Sequence, residues 1–125
     1  MNERDESRLE WILGEEEFVL RITSGHNVTS FLNDDLVQHG VTMELINIGE
    51  SVKSLSKELK QEHQGIEWQD ITNLRNIAAH NYDGLRMEDI WEIVTEDISE
   101  LLEQVRKILH ADGMERGTNE NVFED

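Results

Sequence analysis

The chain has 125 residues, no cysteine and no proline, with 37% hydrophobic and 31% charged residues and a formal net charge of −17. That length suits one domain with a modest core, and the lack of cysteine excludes disulfides and thiolate metal sites. So large an excess of carboxylates argues against general nucleic-acid binding, because affinity for that polyanion comes from Lys and Arg neutralising phosphates.

The first predicted helix covers roughly residues 5–23. Leu9, Ile12, Leu13, Val19, Leu20 and Ile22 recur at helical spacing, and Glu15, Glu16 and Glu17 are expected to face solvent. Ser24-Gly25-His26-Asn27 reads as its stop, and a short extra helical turn capped by Thr29 or Ser30 is expected next. The second and longest helix is expected over about 34–63. Val41, Leu45, Ile48, Val52, Leu55 and Leu59 alternate spacings of four and three, a seam that faces a packed neighbour. A third, shorter helix covers about 67–80 on the stripe Trp68, Ile71, Leu74 and Ala78. The fourth covers about 86–111, where Ile90, Trp91, Val94, Ile98, Leu101, Val105 and Ile108 repeat the four-three rhythm.

The expected fold is therefore all-α: an antiparallel up-and-down bundle of four main helices with one short extra helix. Residues 1–112 form the bundle domain. Residues 113–125 are polar and without a period, and read as a flexible acidic tail. The first residues, Met1-Asn2-Glu3-Arg4-Asp5-Glu6, are unlike a secretory signal, and no apolar run approaches the ~20 residues of a membrane span. A soluble cytoplasmic protein with no membrane partner is expected.

Polar chemistry concentrates in Asn73-Leu74-Arg75-Asn76-Ile77-Ala78-Ala79-His80-Asn81-Tyr82-Asp83-Gly84, which runs off the third helix into a Gly-containing turn. Taken singly, each residue has an ordinary explanation. An Arg on a helix is usually solvated, a His near a helix C-terminus complements the dipole, and a Tyr in a turn packs. Together, beside the small Ala78 and Ala79, they mark a candidate site. On a regular helix Arg75 and His80 fall about 140° apart, so one chain alone does not put them on one face, and a two-fold dimer would let two copies share a groove. Other clusters are weaker. Asp34 with Asp35, and Asp97 with Glu100, read as surface acids; His26, His39, His63 and His110 lack ligand spacing. No metal site or cofactor is expected. Trp11, Trp68 and Trp91 read as core or dimer packing.

The Arg75-x4-His80-x-Tyr82 pattern resembles the motif of the HepT-like toxins of the HEPN superfamily. The segment 45–55, with Ile48-Gly49-Glu50, is similar to that family's Ile-Gly-Glu helix. Trp68-Gln69-Asp70-Ile71 is similar to the lead-in to its motif helix, and Ile90-Trp91-Glu92-Ile93-Val94 with Asp97-Ile98-Ser99-Glu100-Leu101 to its closing helix. The resemblance covers roughly residues 5–110. It implies a homodimeric, metal-independent endoribonuclease that cleaves RNA, transfer RNA in particular. Arg75 and His80 would be catalytic, and Asn76 and Glu50 would bind or orient. The resemblance also implies a toxin–antitoxin partner, an MntA-like minimal nucleotidyltransferase that neutralises the enzyme by adenylylating Tyr82. The net charge keeps a second expectation open: a non-catalytic HEPN-type bundle serving as a nucleotide-binding or scaffolding subunit of such a transferase.

Overall fold

The computed structural model describes residues 1–79 and 86–124, with side chains through Ala111. Every regular element among them is helical: α1 Glu3–Thr23, α2 Val28–Leu32, α3 Asp35–Lys53, α4 Lys57–Glu62, α5 Trp68–Ala79, α6 Met87–Glu92, a wider π-helical segment Ile93–Ile98, and α7 Ser99–Glu124. α3 lies at the centre, with α1 on one flank and α5 on the other, and α7 packs on α1.

Local chemistry sets the boundaries. The Asn2 side chain accepts the Asp5 N–H and starts α1, whose first turn carries Glu3, Asp5 and Glu6 against the positive helix end. The chain leaves α1 through Gly25 at φ 83°, a left-handed conformation that glycine adopts without a Cβ penalty. α2 does appear, but its cap is Asn27 rather than Thr29 or Ser30. The Asn27 carboxamide accepts the Ser30 N–H while the Ser30 hydroxyl accepts the Asn27 N–H.

The expected long second helix is in fact two. α3 ends at Lys53, where the Ser54 N–H turns back to the carbonyls of Ser51 and Val52, and Ser56 caps α4 by accepting the Leu59 N–H. The interruption is locked from outside. The Asp5 carboxylate accepts both the Ser56 N–H and its hydroxyl, and Arg8 donates to the Ser54 hydroxyl at 2.7 Å. The apolar seam survives the break, since Val41, Leu45, Ile48, Val52, Leu55 and Leu59 are all buried. These ties also fix direction. The start of α1 meets the end of α3, while Ile22 near the end of α1 touches Gly40 near the start of α3, so the two helices are antiparallel.

The expected fourth helix is continuous in path but widens over Ile93–Ile98. Ile90, Val94 and Ile98 are spaced four and four, a rhythm that drifts off one face of an α-helix and stays on it in a wider turn. α7 then keeps helical backbone through Glu124, across Gly113 and Gly117, where the sequence shows no apolar period.

Two further expectations are corrected. Glu15 and Glu16 do not face solvent: they are 7% and 0% exposed, turned against α3 and α7 respectively, while Glu17 is exposed. Of the two expectations for Trp11, core or dimer packing, the core one is corrected: it is 65% exposed. Trp68 is buried and donates its indole N–H to the His63 carbonyl, and Trp91 packs against the fully buried Phe31 with ring centroids 5.1 Å apart. No described helix is long and apolar enough to cross a membrane.

Candidate active site

A close approach of two helices creates the site. α3 and α5 cross at Gly49. A Cβ there would lie 2.8 Å from both the Cβ and the backbone nitrogen of Arg75, and 3.1 Å from the Thr72 carbonyl oxygen. Only glycine fits without pushing the helices apart. The next residue, Glu50, points outward from α3 and meets the Arg75 side chain, with Nε–Oε1 at 2.7 Å. Both side chains are about half exposed, so the pair holds a geometry more than it stabilises the fold.

One guanidinium N–H is thereby engaged by Glu50, and a second, on Nη1, is donated to the Asn76 side-chain oxygen at 3.2 Å. Guanidinium carries five N–H donors in a planar fork, which leaves about three to face an incoming anion. The surrounding pocket, of about 230 Å3, is lined by further hydrogen-bonding groups: Lys53 from α3, and Gln69, Thr72 and Asn73 from α5. Gln69 donates to the Asn73 side chain at 3.1 Å, one turn along the same face. A second cation, a guanidinium and a row of amides suit a phosphate and the polar edges of a nucleic-acid strand better than a hydrophobic ligand.

Of the five residues expected from sequence, the structure brings together Arg75, Glu50 and Asn76. His80 and Tyr82 lie outside the described residues; α5 as described ends at Ala79, immediately before His80. Lys53 is expected from sequence as part of a local basic groove, whereas sequence reasoning missed Gln69, Thr72 and Asn73, although Gln69 and Asn73 join Asn76 at helical spacing opposite the buried Ile71, Leu74 and Ala78, a legible polar stripe. Arg86, which the sequence offers with Arg75 and Lys53 as a source of local positive charge, is drawn to the acids of its own helix, 3.6 Å from Glu88 and 3.7 Å from Asp89. Among the described residues, no three histidines or carboxylates gather in a way that could hold a metal ion.

The sequence profile of the ribonuclease HepT-like family matches residues 12–108. The chain belongs to that family. HepT-like relatives include a protein of Caldanaerobacter subterraneus named as an RNase, 36% identical over 81% of this chain and 90% of its own length. A Thermococcus cleftensis protein named as a ribonuclease HepT is 32% identical over 62% of this chain and 71% of its own. A Methanocaldococcus jannaschii protein named as both a gamma-glutamylcyclotransferase and an RNase is 28% identical over 92% of this chain, which spans only 52% of it. No solved structure matches. The matched region contains the Gly49 crossing, the Glu50–Arg75 pair and the positions of His80 and Tyr82, so the geometry around Arg75 belongs to the part of the chain that defines the family.

Proposed function

We propose that this HepT-like chain is a metal-independent endoribonuclease acting as a two-fold dimer, the toxin of a module whose antitoxin adenylylates Tyr82. The observation that supports it best is the outward Arg75 guanidinium, oriented by Glu50 at 2.7 Å in a pocket of amide donors beside Lys53.

The chemistry balances without a cofactor. His80 of one protomer accepts the proton of the ribose 2′-hydroxyl. The 2′-oxygen attacks phosphorus, and the free N–H groups of Arg75 stabilise the charge on the phosphorane oxygens. The P–O5′ bond breaks, and His80 of the second protomer, protonated at the outset, gives its proton to the leaving 5′-oxygen. The products are a 2′,3′-cyclic phosphate and a 5′-hydroxyl. Histidine suits both roles near neutrality. Two copies are needed because each chain supplies one histidine, about 140° from Arg75 on a regular helix. Structured RNA such as transfer RNA is the proposed substrate. A neighbouring MntA-like nucleotidyltransferase is the proposed partner: adenylate added to Tyr82 would bring phosphate to the same guanidinium and compete with substrate.

The test is cleavage of transfer RNA in EDTA by the purified chain, with end-group analysis of the products. Cyclic-phosphate ends are expected, with losses of about 10²–10⁴-fold for His80→Ala. Intact mass after co-expression with the transferase should rise in adenylate units, and not in Tyr82→Phe. Cleavage that His80→Ala and Arg75→Ala leave at wild-type rate refutes the nuclease reading and favours the scaffold expected from the acidity.

A further inference from the structure

The flank of α3 opposite the Arg75 site carries a second constellation that RNA cleavage leaves unused. Between α1 and α3 lies a surface pocket of about 330 Å3, lined by Trp11, Gly14 and Phe18 from α1 and by Asn47 from α3. Trp11 is 65% exposed, and space beside Gly14 is open for 4 Å. Glu15 and Glu44 line the same pocket, and Glu10 sits at its edge. Glu15 is more than nine-tenths buried, and neither of its carboxylate oxygens has a hydrogen-bond partner of good geometry. Burial, then the neighbouring Glu44, pushes the Glu15 carboxyl up to about 7, and burial raises Glu44 as well. Glu15 on α1 and Glu44 on α3 face each other, and Glu10 on α1 is the other charged group lining the pocket. The residues lining the pocket include no Lys or Arg, and Arg21 stacks over Phe18 with its guanidinium carbon 5.3 Å from the ring centroid. A buried carboxylate set against a second carboxylate, with no cation lining the pocket and an exposed tryptophan beside it, is costly for a free surface, and a cation would relieve it.

We propose that the α1–α3 pocket docks a protein segment that is cationic and apolar-tipped. One Lys or Arg of the partner sits between Glu15 and Glu44, and an aliphatic side chain lies against Trp11 and Phe18. Charge decides between this occupant and a second copy of the chain. A two-fold contact here would set Glu10, Glu15 and Glu44 against their own equivalents, in a chain of net charge −17. A basic segment brings the complementary sign. The pocket is distinct from the Arg75 site, and the proposal does not depend on the nuclease reading.

The test is a titration of the full chain with a synthetic amphipathic peptide of about 14 residues, leucines on one helical face and lysines on the other. Binding is read by Trp11 fluorescence and backbone amide shifts. A lysine peptide of equal charge without leucines serves as control. Expected are shifts at Gly14, Glu15 and Glu44, weaker binding of the control, and about tenfold loss of affinity in Trp11→Ala. The E15Q/E44Q double variant should lose as much, while D97N/E100Q, which removes two charges from a different cleft, stays within about twofold. Affinity should also rise with pH across about 6 to 8, because the bound cation favours the ionised pair; ordinary surface carboxylates are already ionised there. The proposal is overturned by equal losses in the two double variants, by equal binding of the leucine-free peptide, or by a pH-independent affinity. It is overturned too if Trp11→Ala dissociates a self-assembled dimer, which would place a second copy on this face.

Discussion

Replacing Glu16 by glutamine should stabilise the protein, increasingly so as pH rises. Glu16 is fully buried, and neither carboxylate oxygen has a hydrogen-bond partner. Burial is the main cause that pushes its carboxyl from 4.5 up to about 8; Arg106 opposes the rise, while Glu17 and Glu15 add to it. Arg106 is exposed and gives its own hydrogen bond to Glu103 at 3.3 Å, so it offsets the burial only in part. With the folded value above the unfolded one, the folded state binds the proton more tightly. The stability this group allows is complete below about 4.5 and is lost as pH rises toward about 8. At about 1.36 kcal/mol per pH unit, the full window is worth at most about 5 kcal/mol. Glutamine keeps the shape and cannot ionise. Urea unfolding of both proteins should give curves that nearly coincide at about pH 5 and separate by several kcal/mol at about pH 9. A gap independent of pH, or a Gln variant less stable at alkaline pH, would refute the reasoning.

Gly49→Ala should cost about 1–3 kcal/mol by forcing α3 and α5 apart, and cleavage should fall with it because Arg75 moves; thermal unfolding and RNA cleavage read the two effects. Glu50→Gln should lower the melting temperature by no more than about 4 °C, since a half-exposed pair contributes about 0–1 kcal/mol, yet lower cleavage about tenfold by loosening the guanidinium. An unchanged rate would remove Glu50 from the site. Asp5→Ala should destabilise by about 1–3 kcal/mol, because it strands the N–H and hydroxyl of Ser56; denaturant unfolding checks it. Light scattering of the wild type should report twice the chain mass, and a concentration-independent monomer would refute the shared groove.

Much of this was legible in the sequence, and the exceptions have physical causes. Apolar period alone found the core of every long helix, because residues such as Leu45, Ile48 and Val52 have no other stable place. Period could not find the break after Lys53, because the seam runs through it undisturbed and the break is secured by Asp5, 51 residues away. Nor could it find the burial of Glu15 and Glu16. A run of three glutamates reads as solvent-facing, and only the packing of α3 and α7 on both sides of α1 overrides that preference. At the site, the motif pointed to Arg75, Asn76 and Glu50, whereas Gly49 was visible only as part of a family pattern. Its physical role, an absent atom at a helix crossing, appears only when both helices are present.

The Asp5–Ser56 tie has a consequence for how the chain assembles. Its acceptor corner exists only after α3 has ended and α4 has begun, so α1 can be fastened only to a framework that is already in place. Contacts between α3 and α5 close a shorter loop, and loop closure is cheaper the shorter the loop. The α3–α5 hairpin that carries Arg75 is then expected to form early and release late, with α1 as the outer stave that loosens first when alkali charges Glu15 and Glu16. Amide exchange at rising pH would accordingly open the protein from the α1 side, and the Gly49 crossing beneath the Arg75 pocket would be the last part to yield.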